Sequence, residues 1–270
     1  MAFAKTRYGK IHYTVKGEGP VVVLVRGLGR WSVHWYGWDL ELAKSFKVIT
    51  FDSKGLGSST APMRPWHSMK ELTEDVAAIL KHERIDSAHI IGTSLGGKIA
   101  LEFALTHSSM AKSITVIAAS IGGSGHTRIS GAAAKMLIEA PWKLGKIYPE
   151  LARLLTSPSS PDDLREKLAR DWLAEDKKHR KPTFTVIGQL LAAWRFRNWE
   201  RLSKIRCPVH VITGKDDLFV PRGNSLFLHE KIPGSTFTEV EKAGHEPHID
   251  QPEEMAKVVA QFIKKHDPSA

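Results

Sequence analysis

Residues 88–97 read Ala88-His89-Ile90-Ile91-Gly92-Thr93-Ser94-Leu95-Gly96-Gly97. Ala88–Gly92 has strand character and Leu95–Ala104 has helical spacing, so Ser94 falls on the turn between the two. A serine on a sharp strand-to-helix turn has a strained backbone and projects its hydroxyl above the sheet. Bulky side chains two residues before or after it would clash, and Gly92 and Gly96 relieve that crowding. The helix that begins at Leu95 aims its N-terminal amides at the same point, which makes the Leu95 N–H a natural oxyanion donor. Ser94 is therefore a candidate nucleophile.

On either side the chain alternates strands and helices. Ile11–Val15, the continuous apolar run Val21–Val25, Lys47–Phe51 and Ser113–Ala118 read as strands. Met69–His82 carries Leu72, Val76, Ile79 and Leu80 at helical spacing. Such alternation predicts an α/β fold with a mostly parallel central sheet flanked by helices. Residues 121–204 differ, because 130–140, 161–178 and 183–199 read as helices and no strand is evident. Strand character returns at Pro208–Thr213 and Thr236–Val240, and Pro252–Lys264 closes as a helix. The expected organisation is a core of residues 1–120 and 205–270, interrupted by a helical cap of residues 121–204.

A serine hydroxyl needs a base near neutral pH. Among 13 histidines, position is the guide. Ala243-Gly244-His245-Glu246-Pro247 follows the last strand, and Gly214-Lys215-Asp216-Asp217-Leu218-Phe219-Val220-Pro221 follows the strand before it. An acid at a strand end can orient an imidazole.

With these motifs in place the chain resembles the α/β-hydrolases of esterase/lipase type over residues 8–120 and 203–265. The resemblance places the nucleophile at Ser94. Its G-x-x-D-x-x-x-P motif falls on Gly214, Asp217 and Pro221, which selects Asp217 over Asp216 as the acid. Its G-H-x-P motif falls on Gly244-His245-Glu246-Pro247, which selects His245 over His248. Asp52-Ser53-Lys54-Gly55-Leu56-Gly57-Ser58-Ser59 resembles the family's D-x-R-G-x-G-x-S loop, with Lys54 where arginine is usual. The oxyanion loop departs from the family's H-G-x-G and reads Arg26-Gly27-Leu28-Gly29. The resemblance implies that the Leu28 and Leu95 amides form the oxyanion hole. Arg26 either recognises an anionic group or turns away to pair with an acid such as Asp52. Gly27, Trp35, Trp142 and Trp194 are expected at the substrate pocket, with most of Trp31, Trp35 and Trp38 devoted to core packing.

The resemblance implies a serine hydrolase that cleaves a small-molecule carboxylic ester, thioester or lactone without a cofactor or metal. Carbon–carbon bond hydrolysis, enol-lactone hydrolysis, carrier-protein methyl ester hydrolysis and a low-turnover ligand-binding receptor are the alternatives on the same fold. Epoxide and dehalogenation chemistry is disfavoured, because relatives that perform it carry aspartate at the position of Ser94.

Composition sets outer bounds. The 270 residues include 42% hydrophobic and 25% charged residues, as in a globular protein. No apolar run reaches the roughly 18–20 residues of a membrane span, and the first residues lack an apolar leader, so a cytoplasmic location is expected. The single cysteine, Cys207, excludes an intramolecular disulfide. The net charge is +10, and residues 121–204 hold 16 basic against 9 acidic side chains. No zinc-finger, RNA-recognition or phosphate-loop pattern accompanies this charge, so nucleic-acid binding is not expected. Three readings of the basic cap stand: an acidic protein partner such as an acyl-carrier protein, attraction of carboxylated substrates, or a solvated surface with acids interspersed for local pairing.

Overall fold

The computed structural model describes residues 2–120, 129–139, 146–179, 183–196 and 199–267. The strands are β1 (Ala2–Thr6), β2 (Gly9–Lys16), β3 (Val21–Val25), β4 (Lys47–Phe51), β5 (Ala88–Thr93), β6 (Ala111–Ile117), β7 (Val209–Gly214) and β8 (Thr236–Val240). They form one eight-stranded sheet in the order β1-β2-β4-β3-β5-β6-β7-β8. β1–β2 and β2–β4 pair antiparallel, and every later pair is parallel.

The helices are α1 (Trp38–Leu42), α2 (Met69–His82), α3 (Leu95–Thr106), α4 (Gly131–Glu139), α5 (Tyr148–Leu155), α6 (Asp162–His179), α7 (Thr183–Arg195), α8 (Gly223–Lys231), α9 (Pro247–Asp250) and α10 (Pro252–His266). Alternation along the strands divides the core. Val23, Val25, Ile90, Val116 and Val211 pack toward α2, α3 and α8. Val22, Leu24, Ile91, Ile117 and Ile212 pack toward α1 and α10. The continuous apolar run of β3 follows from burial on both faces. α2 starts on a reciprocal cap in which Ser68 and Glu71 satisfy each other's backbone neighbours.

From β3 the chain moves to β4 on one side, then crosses to β5 on the other. The sheet's switch point is therefore at the carboxyl ends of β3 and β5, where open α/β sheets place their ligands. Arg26-Gly27-Leu28-Gly29 leaves β3 there, and Ser94 leaves β5.

The helices α4–α7 lie between β6 and β7. Met136, Tyr148, Ala152, Leu155, Leu168 and Trp172 bury one another and dock on Phe219 and Val220. Ala192, Phe196 and Leu202 belong instead to the main core, so packing with that core resumes before residue 205. No helix among the described residues is long and apolar enough to cross a membrane.

Candidate active site

Ser94 sits between β5 and α3 at φ 53° and ψ −114°, a backbone conformation that non-glycine residues seldom adopt. The two flanking glycines are sterically required. A Cβ on Gly92 would meet the Gly96 carbonyl oxygen at 2.1 Å, and one on Gly96 would meet that of Val25 at 2.1 Å. The turn is also held by the Ser94 amide donating to the Ile117 carbonyl at 2.8 Å.

The strand-end segments after β7 and β8 bring Asp217 and His245 together. His245 Nδ1 donates to Asp217 Oδ2 at 3.0 Å. The other carboxylate oxygen accepts from the Phe219 and Val220 amides at 2.9 and 2.8 Å. With Nδ1 committed as a donor, Nε2 is the free base nitrogen. Burial pulls the His245 pKa down, but the charge and hydrogen bond of Asp217, with the charge of Glu246, outweigh it and hold it above the ordinary value. Asp216 is engaged elsewhere, accepting from the Ser157 hydroxyl at 2.6 Å. His248 is enclosed by Trp35 and Trp38, and burial first of all drives its pKa down to about 3.

Arg26 turns away from the cavity and pairs, but with a different acid from the one expected. Its Nη1 and Nη2 donate to the two oxygens of Glu246 at 3.0 and 3.1 Å, and Nη1 also donates to His248 Nε2 at 2.9 Å. The guanidinium stacks on Trp35, 4.6 Å from the ring centroid. Burial alone would raise the Glu246 pKa, yet the Arg26 charge, helped by His248 and His245, holds it at about 2. Asp52 is already filled. It accepts from the Ser32 amide and hydroxyl, the Ser58 amide and His12.

A cavity of about 140 Å³ opens beside Ser94 and His245. Gly27, Leu28 and Leu95 line it. Met136, Leu137, Ile147 and Leu151 face it from α4 and α5, and Val186, Leu190 and Ala193 from one side of α7. Two expected pocket residues are elsewhere. Trp35 is fully buried between Arg26, Trp38 and His248 in the core beneath the sheet end, and does not line the cavity. Trp194 is 70% exposed, because positions 186, 190 and 193 take the inner stripe of α7 and residue 194 lies about 100° round from 193. Trp142 lies outside the described residues.

Further residues at the site carry no motif. Gln189 on α7 accepts the Gly29 amide at 2.8 Å and so ties a roof helix to the oxyanion loop. Lys98 and Arg30 line the cavity wall. The α5–α6 turn is bonded to the segment that carries His245. The Ser157 amide and Ser160 hydroxyl donate to Asp250 at 3.0 and 2.6 Å, and the Glu246 amide donates to the Leu155 carbonyl at 2.9 Å. Among the described residues no cluster of three or more histidine, cysteine, aspartate or glutamate side chains is arranged to hold a metal ion.

Sheet order and strained elbow at the switch point are those of an α/β-hydrolase, and a family profile for the alpha/beta hydrolase fold matches residues 20–252. The chain belongs to that family. It is 30% identical over 253 residues to a pimeloyl-acyl-carrier-protein methyl ester esterase of Aeromonas hydrophila, spanning 92% of this chain and 96% of that one. It is 28% identical over 260 residues to a putative carbamate hydrolase, RutD, of Agrobacterium fabrum, spanning 96% and 98%. The enol-lactonase of Burkholderia xenovorans superposes with a TM-score of 0.83 at 20% identity, over 97% of this chain and all of that one, which is a likeness of fold.

Proposed function

We propose that the protein is a serine hydrolase that cleaves a carboxylic ester, or a related thioester or lactone, through an acyl-enzyme. The observation that most supports this reading is the convergence of Ser94 and the His245–Asp217 pair on one largely apolar cavity. Ser94 Oγ attacks the carbonyl carbon while His245 Nε2 takes its proton. The Leu28 and Leu95 amides receive the oxyanion. His245 then protonates the departing alcohol, and Asp217 stabilises the imidazolium. Water activated by His245 releases the acid and restores the serine. His245 acts as a base only when neutral, so its raised pKa predicts a rate that climbs with pH through a midpoint above the ordinary histidine value.

A cavity near 140 Å³ is of the size that accommodates a benzene molecule, so short and medium acyl groups fit best. The test is a chromogenic ester series from acetyl to dodecanoyl, with a serine-directed phosphonate followed by mass spectrometry. Turnover peaking at the shorter chains and adduct formation at Ser94 are expected. A folded protein that neither hydrolyses any ester nor reacts with the phosphonate would overturn the reading.

A carrier-protein ester is the second reading. It draws on the Aeromonas relative and on the exposed Lys135, Lys146, Lys177 and Lys178, none of which forms an ion pair among the described residues. By contrast Arg165, Lys167 and Arg170 pair along α6. Including a methyl ester borne on an acyl-carrier protein in the series separates the two, because only a cap-docked substrate gains a salt-sensitive KM.

Within the proposed triad, Asp217→Asn is expected to lower kcat by about 10⁴-fold through the wrong imidazole tautomer. Asp216→Asn, at a carboxylate bonded to Ser157, leaves kcat nearly unchanged. The reverse order would reassign the acid.

A further inference from the structure

Lys98 and Arg30 are cations on the wall of a largely apolar cavity, and neither forms an ion pair among the described residues. All 29 aspartate and glutamate residues lie within the described segments, and none of them is within ion-pair distance of either cation, although the charges of Glu246 and Asp176 act on Arg30 from further off. Their circumstances differ. The Arg30 guanidinium lies over Trp172, 4.0 Å from the ring centroid, and 5.7 Å from that of Tyr148, which offsets part of the desolvation of its charge. Lys98 is only 8% exposed, and its ammonium has one long hydrogen bond, 3.5 Å to the Ala193 carbonyl across the cavity on α7. An ammonium carries three donors, and among the described residues the Ala193 carbonyl is the one acceptor within hydrogen-bond distance. Burial draws its pKa down to about 8, which leaves it mostly charged at neutral pH. A lysine kept only for its aliphatic stem would carry its head out to water, whereas this one ends at the cavity wall.

Lys98 lies four residues after Ser94 on the elbow helix, one turn or about 6 Å along the axis. Ser94 and Lys98 line the same cavity, so an acyl group bound to Ser94 that fills it shares that space with a cation. We propose that the substrate's acyl part ends in a free carboxylate, making it the monoester of an aliphatic dicarboxylic acid, and that Lys98 is the specificity-determining residue that receives that carboxylate. The inference rests on the ester-hydrolase reading. Hydrolysis adds water across the ester C–O bond and yields the dicarboxylate and an alcohol.

The test compares kcat/KM for monomethyl glutarate, adipate and pimelate with that for methyl esters of neutral acids of equal chain length, in the wild type and in Lys98→Met. The wild type is expected to prefer the half-esters. The variant should lose that preference by roughly 10- to 100-fold, the value of a charge-assisted hydrogen bond, and should gain on the neutral esters. A ratio that Lys98→Met does not move overturns the proposal. A second measurement is independent of turnover: calorimetric titration of adipate into Ser94→Ala, with and without Lys98→Met. Adipate binding that requires Lys98 supports the carboxylate site even if no ester is cleaved, in which case the hydrolase reading alone fails. Binding that is equal or absent in both proteins overturns the site.

Discussion

Ser94→Ala abolishes ester turnover with the fold intact; the expected loss in kcat is about 10⁶-fold, the size seen when the nucleophile of a serine triad is removed. The substitution removes one oxygen and keeps the Cβ, so neither the cramped backbone at φ 53° nor the packing around Gly92 and Gly96 changes. No thiol takes over. Cys207 packs against the main core away from the cavity, and its burial pushes the thiol up to about 11. What is expected to survive is the weak rate that the proposed oxyanion donors and binding supply without a nucleophile. The measurement is parallel turnover of the best chromogenic ester by wild type and variant, with matched thermal melts. Retained activity would remove Ser94 from the mechanism.

Arg26→Met is expected to lose about 3–5 kcal/mol of stability, because removing one member of a buried pair strands the other. That corresponds to a fall in Tm of roughly 6–20 °C for a chain of this size. Glu246, Arg26 and His248 are all buried, and the methionine leaves the Glu246 carboxylate without its main counter-charge. The sign with pH follows. The Glu246 pKa is depressed from 4.5 to about 2, so its stabilising contribution is complete above about 4.5 and is lost as pH falls toward 2. In Arg26→Met that acid limb moves to higher pH. The double substitution Arg26→Met with Glu246→Leu removes both charges and is expected to recover most of the loss, which thermal melts of the two singles and the double would show. Additive losses would mean that the two side chains do not act as a unit.

How much of this was legible beforehand depends on how local each signal is. β3 and β4 have the limits expected of them, because a strand buried on its faces writes those limits into consecutive apolar residues. The elbow was equally legible, since its glycines answer a steric problem confined to five residues. The edge strand β1 and the short helices α5 and α8 have no such signature; α8 opens on Gly223-Asn224-Ser225, which reads as a turn. Trp35 and Trp194 illustrate a second limit. A tryptophan announces large apolar area but not which surface receives it, and one of these fills the core while the other faces solvent. The partner of Arg26 was illegible for a third reason. Glu246 lies 220 residues away, and only the adjacency of the β3 and β8 loops at the sheet end brings the two together.

The attachment of the α5–α6 turn has a mechanical consequence. Leu155, Ser157 and Ser160 are bonded to Glu246, Asp216 and Asp250, which bracket Asp217 and His245, the proposed acid and base, in sequence. A movement of that corner with these hydrogen bonds intact would draw on the segment that carries His245. Under the proposed mechanism, enclosure of the cavity and placement of the base are therefore coupled through one set of hydrogen bonds.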